Sequence, residues 1–526
     1  MIQRLIFFMV AFGSGAGAFK ILVLYPTPSF SHQRPIMALT EKLVQLGHQV
    51  FAVSPNIVLG LEGNENYTYV DVSFSYEYFS DVKTDDVVNF QREIPKWGIK
   101  DFMVPMAEIP GKQFLSEPFK KFKKRVESEK LKFDVVIVES LCIPWGCGML
   151  RLLSEAAPII SMTTVAVDHN ENHIGSRMHL SFVPTILSPY TDRMSFWEKL
   201  ENWIFYSYFL SMSSGVFESA ARRFFKDNYG AEAENLVEGC WSNVSLVLVT
   251  SNPLYFYPRL LAPNVVEVGP LHLKSPPALP KNLQEWLDGA EKGVIYFCLG
   301  GNVKSKSLPE SARDNFVKFF QELSPGYRVL WKWEADGKIP GQSPNILTQK
   351  WMPQESVLAH PKVKIFIMQG GLQSFQEAVH YGVPTVGIPW YGDQRGVVAK
   401  MVDAKIGLRL LPEELSKFEK VKSTLEAVMF DESYAINMKR HSAISHDLTS
   451  QSLDKAVFWV EHLARHGGAS HLRPATAEAN LFQLLCFDIV SVIIFFSFYI
   501  IFVIYFILKS FKSTIFGNEL LKKKQH

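Results

Sequence analysis

The sequence predicts an α/β protein built of two lobes that face a cleft, followed by one C-terminal membrane-spanning helix. Three observations predict it. Apolar runs of strand length alternate with segments of helical periodicity in both halves of the chain. The halves meet in Gly269–Pro280, where four prolines in twelve residues read as a semi-rigid linker. The 20 residues from Ile489 to Leu508 carry no charge, enough for a helix to cross the ~30 Å hydrocarbon core of a bilayer.

In chain order, Met1–Arg4 precedes an apolar run, Leu5–Phe12, and a small-residue stretch, Gly13–Ala18, with Ala16 and Ala18 at the spacing read by signal peptidase. Residues 1–18 are expected to be a signal peptide. Lys20–Tyr25 reads as a buried strand and Pro26–Phe30 as a loop. Pro35–Leu46 reads as a helix with Ile36, Leu39, Leu43 and Leu46 in one stripe, and His48–Val53 as the next strand. Phe133–Glu139 is a further buried strand. The run from Phe196 to Leu210 is aromatic nearly all round, which suits a pocket wall, a segment at a lipid interface or a buried helix. These segments make a first lobe of residues 19–270, joined through 271–284 to a second lobe of 285–450. In the second lobe Gly293–Leu299, Tyr327–Trp333, Lys364–Met368 and Pro384–Pro389 read as strands, and Pro309–Leu323 as an amphipathic helix. Residues 451–488 are expected to form helices that return to the first lobe and lead to the membrane. The span is 489–508. The tail, 509–526, holds Lys509, Lys512, Lys522, Lys523 and Lys524 against one acid, Glu519, which predicts a cytosolic tail and a lumenal body.

Composition removes other classes. With 47% hydrophobic and 20% charged residues the chain is not intrinsically disordered. A formal charge of +2 from 54 basic and 52 acidic residues is too balanced for nucleic-acid binding through bulk electrostatics. The 5 cysteines show no paired CxxC knuckles, so no structural zinc site is expected.

Two segments of the second lobe carry chemistry. One is Trp351-Met-Pro-Gln354. The other runs from Phe366 to Glu377 and on through Pro384 to Gln394. A strand ends at Met368, Gly370-Gly371 lets the backbone approach a ligand, and a helix is expected near Ser374, whose free N–H groups suit a diphosphate. Glu377 is placed on the first turn of that helix, where a carboxylate accepts from ribose hydroxyls. Asp393 and Gln394 follow the next strand, an acceptor-only acid beside an amide, as a polyhydroxylated sugar requires. Trp351 offers a flat face to a base and Gln354 a two-way hydrogen-bonding edge.

Together these segments resemble the membrane-bound UDP-glycosyltransferases, whose fold is GT-B: two Rossmann-like lobes facing a cleft. The family's C-terminal signature matches Gln369 to Gln394 in spacing. Gly293–Ser305 resembles its Gly-rich strand and loop, Val183–Asp192 its acceptor-lobe segment, and Phe458–His466 with Ala469–Arg473 its helix before the membrane. The leader, single span and lysine tail also fit, and Asn302–Ser305 looks most like insect members. The resemblance implies that His32 is the catalytic base and Glu139 its carboxylate partner, where the family usually has Asp. It implies donor contacts at Trp351, Gln354, Gln369, Gly371, Ser374, Glu377, Asp393, Gln394 and Gly301. An imidazole of ordinary pKa about 6.5 takes a proton from an acceptor hydroxyl near neutral pH, and a carboxylate behind it fixes the tautomer and steadies the imidazolium. The expected product is an inverted β-glycoside, formed without a metal or other cofactor.

Besides Glu139, three positions depart from the pattern. Gln369 stands where animal members usually have His, and Cys298 and Gly301 where the loop usually has Ser, so phosphate contacts are expected to be fewer. The leading expectation is a hexosyltransferase that moves glucose from UDP-glucose to small lipophilic acceptors, in detoxification or conjugation of endogenous compounds. The alternatives are a membrane-tethered sugar-nucleotide or lipophile binder with weak or no transfer, and a GT-B epimerase, which needs neither an acceptor pocket nor an anchor. The expected partners are UDP-sugar, acceptor and membrane lipid, with a homo-oligomer left open and no nucleic acid. Lys523-Lys524-Gln525-His526 resembles an endoplasmic-reticulum retrieval signal, and Asn66-Tyr67-Thr68 and Asn243-Val244-Ser245 are glycosylation sequons.

Overall fold

The computed structural model describes residues 17–80, 96–153 and 156–523. All but Gly17 and Ala18 of the expected signal peptide lies outside the described residues, as do Lys524, Gln525 and His526 of the tail.

Two parallel sheets organise the body. The first contains β1 (Lys20–Leu24), β2 (Gln49–Ser54), β3 (Tyr67–Asp71), β4 (Val135–Glu139), β5 (Ile159–Thr163), β6 (Leu246–Val249) and β7 (Val265–Glu267), in the order β3-β2-β1-β4-β5-β6-β7. The second contains β8 (Gly293–Cys298), β9 (Tyr327–Lys332), β10 (Ile346–Gln349), β11 (Val363–Met368), β12 (Thr385–Gly387) and β13 (Gly407–Arg409), in the order β10-β9-β8-β11-β12-β13. Strands such as β4 and β8 are buried along their whole length, as expected where helices cover both faces of a parallel sheet. Strand order reverses between β1 and β4 in one sheet and between β8 and β11 in the other. Ligands of doubly wound sheets bind at the carboxyl ends of the strands beside such switch points.

The helices that matter for the site are α1 (Phe30–Gln45), α2 (Ile99–Phe114), α3 (Phe196–Tyr229), α4 (Gln354–Leu358), α5 (Leu372–Tyr381) and α6 (Gln394–Asp403). A further helix, α7 (Ser452–His466), packs Ala456, Val457, Val460 and Leu463 into the core that holds Ile36 and Leu39 of α1.

Several elements differ from expectation. Helix α1 begins at Phe30, five residues before the expected start, so Pro26–Phe30 is not all loop and His32 lies in the first helical turn. Pro35 then sits inside the helix, where it lacks only the N–H that would bond the Ser31 carbonyl. Helix α5 begins at Leu372, so Glu377 lies in its second turn rather than its first. The strand expected over Pro384–Pro389 is reduced to the three residues of β12. The aromatic run opens the 34-residue α3 and is not buried all round: Trp197 is 73% exposed, Phe205 is fully buried, and Tyr206, Phe209 and Leu210 line a cavity. A disulfide joins Cys147 to Cys240.

Residues Pro474–His526 form a second compact unit, separate from Met1–Arg473. It holds α8 (Phe487–Lys523), of which Phe487–Ser513 is apolar and long enough to cross a membrane. The helix continues through the expected tail to Lys523.

Candidate active site

The carboxyl ends of β1 and β4 bring the first pair together. His32 enters from the first turn of α1 and Glu139 is the last residue of β4. His32 Nδ1 is 3.2 Å from Glu139 Oε1 and 3.0 Å from Thr164 Oγ1. Glu139 Oε2 accepts a hydrogen bond from the Thr27 backbone N–H at 3.0 Å, which fixes the carboxylate plane. An ionised carboxylate only accepts, so this network assigns the ring proton to Nδ1 and leaves the Nε2 lone pair for chemistry. The His32 side chain keeps 34% of its surface exposed against 8% for Glu139. The base position is reachable and its partner is shielded.

These residues line a cavity of about 260 Å³ that draws on both lobes. Its far wall is apolar, with Phe102, Met103 and Met106 of α2 and Phe209, Leu210 and Phe217 of α3. Its other side comes from the switch point of the second sheet, with Asn302, Gln369, Gly371, Asp393 and Gln394. The lobes are tied across it: Asn302 Nδ2 donates to Ser29 Oγ at 3.2 Å, and Gln373 Nε2 to the Thr164 carbonyl at 2.8 Å.

The loop from β11 to α5 explains part of the shape. Gly370 has φ +92°, and a Cβ there would lie 2.5 Å from Val398 Cγ2, so only glycine fits the turn. Gly300, after β8, has φ +85° and lies against the Gln369 amide. Gly371 is the N-cap of α5 with ordinary backbone angles. Desolvation pushes the Asp393 carboxyl up to about 6, against the pull of His32 and of the Leu372 N–H at the start of α5.

Seven of the nine expected donor residues fall into two groups. Gln369, Gly371, Asp393 and Gln394 line the cavity with His32 and Glu139. Gln394 is already committed: its Oε1 accepts from the Trp390 and Tyr391 N–H groups at 2.8 and 3.2 Å, and its Nε2 donates to Gln369 Oε1 at 3.2 Å. The second group is a neighbouring hydrogen-bonded cluster. Gln354 Nε2 donates to Ser374 Oγ at 2.9 Å and to Glu377 Oε2 at 2.6 Å. Glu377 is fully buried and pairs with Arg34 of α1. Trp351 stands on the loop before α4, 63% exposed, with Phe30 edge-on at 5.8 Å between ring centroids. It is therefore not a core tryptophan. Gly301 is exposed on the loop after β8, with open space where a side chain would go.

Sequence reasoning missed Arg34, Thr164 and Asn302. Arg34 lies two residues after His32, and that proximity to the base was the one available signal.

The chain is similar to known proteins over most of its length. The family described as UDP-glucoronosyl and UDP-glucosyl transferase matches residues 20–525. A UDP-glycosyltransferase UGT5 of Dactylopius coccus is 30% identical over 525 residues, covering 97% of this chain and 96% of that protein. UDP-glucuronosyltransferase 2B18 of Macaca fascicularis is 29% identical, covering 91% and 90%. Among solved structures, a UDP-glucosyltransferase of Polygonum tinctorium superposes with a TM-score of 0.56 at 15% identity, over 86% of this chain and 99% of that one.

Proposed function

The chain belongs to the UDP-glucuronosyl and UDP-glucosyl transferase family and has the GT-B fold, and from that premise we propose that it moves glucose from UDP-glucose to a hydroxyl of a small lipophilic acceptor with inversion at the sugar. The family sets the reaction as glycosyl transfer from a UDP-sugar. The choice of glucose, the inverting course and the residue roles are our reading.

The observation that carries it is the His32–Glu139 pair lining a cavity with an apolar wall on one side and a polar wall on the other. The apolar wall suits a lipophilic acceptor. His32 Nε2 removes the hydroxyl proton as the acceptor oxygen bonds to sugar C1. The bond from C1 to the diphosphate oxygen breaks on the opposite face, and the electron pair leaves with UDP. Glu139 steadies the imidazolium, and the N-terminus of α5 faces the developing charge on the diphosphate. Asp393 accepts from sugar hydroxyls. Trp351 stacks on the base, and Glu377 with Gln354 takes the ribose.

Incubation with UDP-glucose and a panel of phenols and alcohols, read by mass spectrometry and NMR, tests this. A β-glucoside is the expected product. An α-glucoside excludes the inverting course, and transfer from UDP-glucuronic acid alone excludes the donor assignment. The committed amide of Gln394 and the bare Gly301 favour a second reading, a binder of sugar nucleotides. UDP binding without product from any donor establishes that reading instead.

We also propose that α8 anchors the chain in the endoplasmic-reticulum membrane, with a glycosylated lumenal body. The apolar span and the lysines beyond it support this. Protease added to sealed microsomes should leave the body intact, and digestion of the body overturns the topology.

A further inference from the structure

We propose that Arg34 is a positioning residue for the nucleotide, reaching from the first lobe into the second to hold the Glu377 carboxylate in place for a ribose hydroxyl. The inference rests on the reading above that Glu377 meets the ribose.

Arg34 projects from α1, two residues beyond His32. Its Nη1 donates to Glu377 Oε1, and its Nη2 donates to Glu355 Oε2 of α4 at 2.5 Å. The Glu377 side chain is 0% exposed and that of Arg34 19%. On the other side of the carboxylate, Gln354 Nε2 donates to Glu377 Oε2 at 2.6 Å, and Gln354 Oε1 accepts from the Tyr296 hydroxyl at 3.2 Å. One oxygen is thus held from the first lobe and the other from the second. His272 Nε2 stands 3.5 Å from Glu377 Oε1, but burial and Arg34 lower its pKa, so it is neutral and brings no competing charge.

The chemistry follows from the lone pairs. A carboxylate offers about four acceptor sites, two on each oxygen. Arg34 and Gln354 use one on each and His272 stands against Oε1, so a second site is left on Oε2, which a ribose hydroxyl reaches only as the entering nucleotide parts this fully buried cluster. Burial by itself pushes the Glu377 carboxyl up. The Arg34 guanidinium outweighs that and, with His272 and Gln354, holds it at about 2. Without Arg34 the buried group would take up a proton and present a donor where a ribose hydroxyl needs an acceptor. Glu355 shares the guanidinium but is pushed by burial up to about 7, so the arginine's charge serves Glu377 first. Because His32 and Arg34 share the start of α1, the same contact sets the base against the donor lobe.

The test is calorimetric titration of the detergent-solubilised full chain with UDP and with 2′,3′-dideoxy-UDP. The wild type, Arg34→Met, Arg34→Lys and Glu377→Gln are compared. The readout is the ratio of the two dissociation constants within one preparation, which does not depend on the fraction of folded protein. The wild type is expected to favour UDP by about tenfold or more, the worth of hydrogen bonds to a charged acceptor. Arg34→Met should bring the ratio to within about twofold of unity while changing the dideoxy affinity little, and Arg34→Lys should restore part of the preference. A purely structural salt bridge would lower thermal stability and leave the ratio unchanged, and an unchanged ratio in Arg34→Met overturns the inference. If Glu377→Gln loses the preference and Arg34→Met keeps it, the ribose reading stands and the role of Arg34 falls. If the wild type shows no preference, the ribose reading falls first and the inference with it.

Discussion

His32 Nδ1 lies 3.2 Å from Glu139 Oε1, although 107 residues separate the two in the chain. The second oxygen of Glu139 is taken by the Thr27 backbone N–H at 3.0 Å. Both oxygens therefore face donors, and the arrangement works only with an acceptor on each side.

His32→Ala should leave UDP affinity intact and lower turnover by about 10²–10⁴, the usual worth of a placed general base. The loss should be larger for alcohols than for acidic phenols, which shed their proton more readily. Glu139→Gln should be nearly as damaging. Its single amide oxygen can serve either Thr27 or His32, and an NH₂ group turned toward Nδ1 drives the ring proton to Nε2. Steady-state kinetics on one alcohol and one phenol checks both variants. Near-normal alcohol turnover in His32→Ala places the base elsewhere.

Asp393 gives a pH dependence. Desolvation raises its carboxyl to about 6, so the group turns from acceptor to donor as pH falls through that value. UDP-glucose affinity should weaken below about pH 6 while UDP affinity does not change for this reason. Asp393→Asn should weaken the sugar nucleotide at all pH values and leave UDP nearly untouched. Titrations of both ligands from pH 5 to 8 decide it, and parallel losses contradict a sugar contact.

Trp351→Ala should weaken UDP and UDP-glucose together by about tenfold, since base stacking on an aromatic side chain is worth about 1–3 kcal/mol. At 63% exposure the side chain buries little, so the melting temperature should not fall. Calorimetry and a thermal melt separate the two effects.

Gly301→Ser should raise UDP-sugar affinity, by about tenfold if the hydroxyl reaches a phosphate oxygen. A Cβ at Gly301 meets nothing within 4 Å and the backbone there is not left-handed, so the change carries no steric cost. Gln369→His should act in the same direction through a charged donor, but it forfeits the bond from Gln394 Nε2. Comparison of KM for UDP-glucose in the two variants checks both, and a rise in Gly301→Ser shows that the loop has no use for a hydroxyl.

His169 gives a stability prediction. Burial, with a smaller contribution from His173, lowers its pKa from the usual 6.5 to about 3. The unfolded chain therefore binds a proton below pH 6.5 that the folded chain refuses, and stability drains as pH falls from 6.5 toward 3. The melting temperature should drop across that window, and His169→Gln should flatten the drop. A slope unchanged by the substitution assigns the acid sensitivity to other groups.

The α/β class and the apolar terminal helix were legible because both follow from local pattern. Strands such as β4 and β8 are continuous apolar runs, and the span is a long run without charge. The turn after β11 was legible through its glycines and the strand end at Met368. The start of α1 was not, since Pro35 reads as a helix beginning and only the folded first turn shows residues 30–34 already helical. The exposed face of α3 was also hidden, because an all-round aromatic run fits a core helix as well as a wall. The Cys147–Cys240 bond left no local trace, its partners being 93 residues apart.

By itself the sequence determined the alternation of strands and helices and the membrane-length helix, and it pointed to residue types suited to a diphosphate, a ribose and a sugar. Those follow from periodicity and from side-chain chemistry, which a linear string carries. Tertiary structure alone decided which atoms meet. It turned Nδ1 rather than Nε2 of His32 toward Glu139, committed the Gln394 amide to its own loop, and sent Arg34 across the cleft to Glu377. Such pairings are made between strand ends brought side by side by sheet order, and a carboxylate becomes a particular acceptor only when burial and neighbouring donors have used its other lone pairs.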